Sequence, residues 1–322
     1  MLLKALLLFL SRHRETDAEI YIPVLLSRKP TEQRLWIIIP ISVIRFRVIL
    51  QIWITSAHGL SATIRDFNMI SLAGLPVYWQ EDRSDFVRDF IVSDEAEPVV
   101  RINFSDSLLS SHSVQYTDEV VAHFLKSAAG DILIADDSWE KVTSYCLPEG
   151  NRDYALPLAA LCSRFSYFGT LLAHASVIEY NGEGVIFSGP SGIGKTTQAQ
   201  LWEKYKQAQI INGDKVFIRH ENDGFNAYGL PWKGSSEYCL NRKVPLKAVV
   251  ILKQSEKNSV RKLGAESVEC FMPHVFFPHW DKNCLEKALD IFDTLIKNVP
   301  VYLLECRADS EAAELMCKTI FG

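Results

Sequence analysis

The chain is short of paired cysteines, of long apolar runs and of positive charge, and each shortage excludes a class. Its seven cysteines include no CxxC pair, and the nearest two, Cys306 and Cys317, stand eleven positions apart. That scatter supports neither a thiolate metal site nor a disulfide framework, and it leads us to expect reduced thiols in a cytoplasmic protein. A spanning helix needs about twenty apolar residues. The run 35–44 (LWIIIPISVI) is ten residues long and gives way to Arg45 and Arg47. The apolar run 6–10 is not followed by a small-residue cleavage pattern. No membrane partner is expected. Lys plus Arg number 34 against 39 Asp plus Glu, a net charge of −5. Nucleic-acid phosphates demand a positive footprint, so a nucleic-acid partner is not expected either.

What remains is a chain of 322 residues, 48% hydrophobic and 23% charged, enough for one large or two ordinary domains with cores that need no staples. No internal repeat or low-complexity tract is present. Residues 1–150 read as a β-rich domain, with strands expected at 20–26, 35–41, 46–55, 75–79 and 89–93 and a further apolar segment at 131–135. Pro23 and Pro40 demote two of these to edge or bulged strands. This half is the place to expect acceptor or partner recognition.

Residues 151–322 read as α/β. A helix is expected at 156–172 and a strand at 174–180. Asn181-Gly182 makes a hairpin turn, and 184–188 is the returning strand. A glycine-rich loop, a helix to about 207 and a strand at 209–212 follow, the strand ending at Gly213-Asp214. Later come a strand at 244–252, a helix at 282–297, a strand at 301–306 and a last helix capped by Asp309.

The loop carries the strongest chemical signal. Residues 189–196, GPSGIGKT, match G-x-x-x-x-G-K-[ST] in full, after the strand-like GVIFS and before the helix-like TQAQLWEKY. A nucleoside triphosphate concentrates negative charge and needs donors that are already in place. The amides of Gly192, Ile193, Gly194 and Lys195 can form such a nest at a helix N-terminus, with Gly189, Ser191 and Thr197 completing the binding stretch. Lys195 supplies a point charge to the β- and γ-phosphates, and Thr196 a hydroxyl to the bridging Mg2+. ATP and Mg2+ are therefore the expected cofactors.

A two-residue turn at Asn181-Gly182 sets Tyr180 opposite Glu183 and, counting along the ladder, His174 opposite Gly189. His174 is thus a candidate organiser or proton handler beside the loop, or else a satisfied core histidine. Asp214 ends the strand after the loop helix, where ligands of such units converge. It suits a metal ligand or a base, or else an exposed turn. The turn-rich segment 227–238 suits a mobile ligand loop. In it Trp232 stacks on a ligand or plugs the core, and Lys233 meets phosphate or solvent; Arg242 and Lys243 are similar candidates. His274 and His279 are five apart, a spacing that does not align two metal ligands on one helical face.

The stretch HASVIEYNGEGVIFSGPSGIGKTTQAQLW followed by IINGDKV resembles the phosphate-binding core of the HPr serine kinase/phosphorylase superfamily, which is related to ATP-dependent phosphoenolpyruvate carboxykinase. The resemblance covers roughly residues 174–216 and extends more loosely to the C-terminus. It implies an α/β fold with a P-loop core of that type, and roles in phosphoryl transfer for His174, Lys195, Thr196 and Asp214. It also implies an Asp-Asp pair after the strand, where this chain has Gly213-Asp214. The nearest flavour is the kinase homologues of bacterial peptide-modification gene clusters, some of which phosphorylate a serine of a ribosomally made precursor.

The expected function is ATP- and Mg2+-dependent transfer to a hydroxyl, a serine of a peptide or protein, with a small-molecule kinase within the same class. A nucleotide-gated binding protein with a degenerate site is the alternative, supported by the missing carboxylate. A homo-oligomer is compatible with either.

Overall fold

The computed structural model describes residues 19–25, 34–40, 67–93, 96–105, 123–127, 130–145 and 154–322. The expected strand at 46–55 and the apolar run 6–10 lie outside the described residues. By contacts the chain divides into two compact units, residues 1–62 with 111–118, and residues 63–110 with 119–322. In the first, β1 (Glu19–Leu25) and β2 (Arg34–Pro40) form an antiparallel pair, Glu19 opposite Pro40 and Leu25 opposite Arg34.

The second unit holds two sheets. The smaller contains β3 (Phe67–Leu72), β4 (Leu75–Gln80), β5 (Val100–Ser105), β6 (His123–Lys126), β7 (Ile132–Ala135) and β8 (Lys141–Tyr145) in the order β3-β4-β5-β8-β7-β6. Between β4 and β5 the expected strand at 89–93 is not formed. Residues Glu81–Phe90 are a 3-10 helix, and only Ile91 makes a bridge, to Ile70. Val87 and Phe90, three apart, are both buried in the core, and the three-residue repeat of this helix turns them to the same side.

Helix α1 (Ala155–Ser166) packs against both sheets, touching β5, β7 and β8 on one side. On the other it meets β9 (Thr170–Tyr180), the long strand of the larger sheet. The helix ends six residues before the expected 172, because Gly169 turns the chain at φ +70° and Thr170 already starts β9. One core joins α1 and the two sheets, with Trp79, Trp139, Leu161, Phe165, Phe217 and Trp232 buried in it.

After β9 come β10 (Glu183–Ser188), α2 (Lys195–Lys206), β11 (Gln209–Asn212), β12 (Lys215–Glu221), β13 (Gly224–Tyr228) and β14 (Lys243–Gln254). The chain then forms β15 (Ser259–Lys262), α3 (Ser267–Phe271), β16 (Val275–Phe276), α4 (Lys282–Asn298), β17 (Val301–Cys306) and α5 (Ser310–Phe321). The hairpin has the expected register, from Glu183 opposite Tyr180 to Ser188 opposite Ala175. There β10 stops, so Gly189 leaves the ladder and His174 pairs with Lys215 of β12 instead.

Strands β10, β14 and β17 run parallel side by side. Their near-continuous apolar sequences, such as AVVIL at 248–252, fit strands covered on both faces. One face carries α2 and α5 through Ala199, Trp202, Ala313 and Met316. The other carries α4 through Ala288, Phe292 and Leu295, which recur at helical spacing. Asp281 caps α4, accepting from the amides of Asn283 and Cys284, and also accepts from the Trp139 indole N–H at 2.8 Å. The expected cap at Asp309 is present, accepting from the Ala312 amide. No helix among the described residues is long and apolar enough to cross a membrane.

Candidate functional site

The C-terminal ends of parallel strands gather loops at one sheet edge, which is where ligands of α/β units bind. Residues 189–194 form such a loop, leaving buried β10 and entering α2. Gly192 and Gly194 hold φ of +77° and +110°, conformations that a Cβ would strain. Little crowds them: a Cβ on Gly192 would meet nothing within 4 Å, and one on Gly194 only Thr197 at 4.0 Å. The loop thus exposes backbone to an incoming group, ahead of a helix whose first-turn amides have no intrahelical acceptor. Such a concavity suits an anion.

Lys195, the first helical residue, is buried. Its Nζ folds back to donate to the carbonyls of Gly189 and Pro190, both at 3.1 Å. Burial lowers its pKa, and the Asp214 charge opposes that shift. Two further bonds tie the loop to β9: Ser176 Oγ donates to the Lys195 carbonyl at 2.9 Å and Ser188 Oγ to the His174 carbonyl at 3.0 Å. Thr196 Oγ1 donates to the Gly213 carbonyl at 3.0 Å, which joins the loop helix to the turn after β11.

That turn is built by Asn212, fully buried at the end of β11. Its Oδ1 accepts from the amides of Asp214 and Lys215 at 2.9 and 3.1 Å, and its Nδ2 donates to the Leu230 carbonyl at 2.7 Å. Asp214 so placed meets His174 Nε2 at 3.2 Å through Oδ1 and the Lys215 ammonium through Oδ2. Partial burial pushes the carboxyl pKa up, but the hydrogen bonds and charges of His174 and Lys215 outweigh it and hold the group at about 2. Asp214 is therefore a carboxylate at neutral pH.

The segment 233–236 stands against this carboxylate. A Cβ on Gly234 (φ +59°) would lie 2.7 Å from Asp214 Cγ, and one on Gly213 only 2.4 Å from Ser236 Oγ. The chain lies so close that a side chain at either position would push the segment away. Beside the loop opens a cavity of about 350 Å³, lined by Gly192, Gly194, Gln198, the β14 end at Gln254 and Ser255, and Arg307 after β17. Gln198 donates through Nε2 to Cys306 Sγ at 3.3 Å, while its Oε1 is buried with no partner.

Residues 156–321, more than half of the chain, match the family described as SynChlorMet cassette protein ScmC. The chain belongs to the ScmC family. The family's description as a cassette protein accords with the gene-cluster setting that the sequence resemblance implies. Among solved structures, the chain is similar to the Hpr(Ser) kinase/phosphatase from Coxiella burnetii. The identity is 11% and the TM-score 0.30, over 46% of this chain and 95% of that one. No curated protein matches.

In this ScmC-family chain, His174, Lys195, Thr196 and Asp214 converge on one place, and Gly189, Gly192, Ile193 and Gly194 form the loop beside them. Ser191 and Thr197 are exposed at its rim. Among the described residues no three His, Cys, Asp or Glu side chains gather into a metal cluster. The Thr196 hydroxyl and the Asp214 carboxylate are hard oxygen donors, a set that fits Mg2+ because that ion keeps several of its waters.

Other candidates fall elsewhere. Trp232 plugs the core, 6.2 Å from Trp79 and 5.1 Å from Phe86 by ring centroid. Arg242 pairs with Glu179, and Lys243 with Glu221 at 2.8 Å. His279 is exposed. His274, which its five-residue spacing from His279 does not mark as a metal ligand, is placed by the fold. Burial lowers its pKa, and the charges of the nearby Lys195 and His174 lower it further. It arrives there because the next residue, Val275, pairs with Ala173 of β9.

Proposed function

We propose that the chain is an ATP- and Mg2+-dependent kinase that transfers a phosphoryl group to a hydroxyl, a serine of a peptide or protein, in the cytoplasm. The observation that carries the reading is the placement of Lys195 at the head of an open glycine loop with the His174–Asp214 pair beside it. Catalysis of phosphoryl transfer is chiefly positioning and charge stabilisation, and each group has a task in it. The loop amides would hold the phosphates. The Lys195 ammonium, released from the carbonyls of Gly189 and Pro190, would neutralise charge that develops on the transferred group. Thr196 and Asp214 would hold the ion, and Asp214 or His174 would accept the hydroxyl proton. The neighbouring cavity matches the low end of the usual ligand-pocket range, roughly 300–1,000 Å³, and would take the nucleoside.

A second reading, a nucleotide-gated binding protein, draws on one observation: Ser236 fills the space beside Gly213 where a second carboxylate would stand. Incubation with γ-labelled ATP, Mg2+ and a pool of serine peptides separates the two. The kinase reading expects label in peptide, lowered about 100-fold or more in Lys195→Ala and Asp214→Asn. Saturable ATP binding with no label in any acceptor would favour the gated binder.

A further inference from the structure

Gly213 and Ser236 raise a question that the site's other residues do not answer. The point where a Gly213 Cβ would stand is 2.4 Å from Ser236 Oγ and 3.7 Å from Thr196 Cγ2. A serine hydroxyl is thus held near Thr196, which would help hold Mg2+ in the reading above. Two residues earlier, Gly234 leaves no room for a Cβ against the Asp214 carboxylate. Ser236 is half-buried, and Lys233, Gly234 and Ser235 are exposed.

Both ends of this segment are pinned. Upstream, Trp232 is buried in the core, and the Leu230 carbonyl accepts from Asn212. Downstream, Cys239 bridges to Asn212, and the Leu240 amide donates to the Ile211 carbonyl at 2.9 Å. Within it, Ser236 Oγ donates only locally, to the Lys233 carbonyl at 2.8 Å, a bond that is easily exchanged. Six residues between two anchors cannot swing far, so the segment presents its hydroxyl to its own chain's site.

We propose that Ser236 is an acceptor of this site, phosphorylated by its own chain. The inference rests on the nucleotide reading above. The Ser236 oxygen attacks the γ-phosphorus of ATP, and the Oγ–P bond forms as the bond from γ-phosphorus to the β,γ-bridging oxygen breaks. ADP leaves, and the hydroxyl proton passes to the Asp214 carboxylate and on to solvent. Ser236 offers a single hydroxyl, so the reaction stops at one group per chain.

The test is intact-mass and peptide-mapping spectrometry of the full-length protein after incubation with Mg-ATP and no other acceptor, alongside calorimetric titration of Mg-ATP on the same samples. The expected result is a mass gain of one phosphoryl group, mapped to Ser236, at a rate constant unchanged over a tenfold dilution. Ser236→Ala should lose it while still binding Mg-ATP, Ser235→Ala should keep it, and Ser236→Thr should be modified more slowly. ATP binding without a mass gain, modification mapped to another residue, or a rate that scales with protein concentration would overturn the proposal. Absence of ATP binding in wild type would instead overturn the nucleotide reading, and the inference with it.

Discussion

Gly213 is not among the residues with positive φ, so an added methyl group there meets no backbone strain. By chain entropy alone Gly213→Ala should stabilise the fold by about 0.4–1 kcal/mol. The surroundings reverse the sign. The new Cβ would lie 2.4 Å from Ser236 Oγ and 2.6 Å from Ser236 Cβ. Rotation of the hydroxyl can relieve the first contact but not the second, since Ser236 Cβ is fixed to its backbone. Segment 233–236 must then move off the site. Overpacking of this kind costs roughly 1–3 kcal/mol, and partial exposure of the segment places it in the lower half. We expect Gly213→Ala to destabilise by about 1–2 kcal/mol, a fall of roughly 1.5–3 °C in Tm. Ser236→Gly removes both clashing atoms, so in that background Gly213→Ala should become neutral or stabilising. Urea unfolding of the four proteins in this double-mutant cycle measures the coupling directly. A stabilising Gly213→Ala in the wild-type background, or a penalty that persists beside Ser236→Gly, would refute the contact and the crowding of Asp214 with it.

Three further outcomes follow from the same structure. Asp214, held at about 2 in the folded chain against an ordinary 3.8, contributes stability that is full above the unfolded value and lost as pH falls from about 4 to 2. The shift corresponds to about 2 kcal/mol, so thermal melts should show wild type losing more stability than Asp214→Asn across that window. Gln198→Leu removes the partnerless Oε1 and should leave the fold within about 1 kcal/mol of wild type. The same change should weaken ATP about tenfold and leave inorganic tripolyphosphate unaffected, as calorimetry would show. Trp139→Phe deletes the indole N–H that reaches Asp281 at 2.8 Å, and denaturant unfolding should register a loss of about 1.5–3 kcal/mol.

The loop and its flanking elements were legible because local chemistry specifies them. Asn181-Gly182 sets the hairpin register, the apolar strands are short and unbroken, and GPSGIGKT has a fixed strand-to-helix context. Asp214 was legible for the same reason, being the first polar residue past a strand end. The overturned elements are those where composition and period disagree. Residues 89–93 have the β-branched and aromatic content of a strand, yet the three-residue spacing of Val87 and Phe90 drives a 3-10 turn. The sequence extends the helix to 172 because Leu171 and Leu172 continue its apolar face, and Gly169 alone marks the break.

The contacts that complete the site leave no mark in local sequence. His274 comes into play through the pairing of Val275 with Ala173, and Ser236 through close approach to Gly213. Both are tertiary events between segments that no period connects. The glycine at 213 looked like a lost carboxylate, whereas the fold gives it a steric reason: the serine segment occupies the space beside it.

Calorimetric titration of Mg-ATP into wild type and Lys195→Ala asks whether residues 189–196 hold phosphates. Saturable binding by wild type is expected, with a loss of affinity of at least tenfold in the variant, whose folded stability should be little changed. Absence of heat from wild type with ATP, GTP and ADP, or equal affinity in Lys195→Ala, would contradict the assignment of residues 189–196 as the phosphate site.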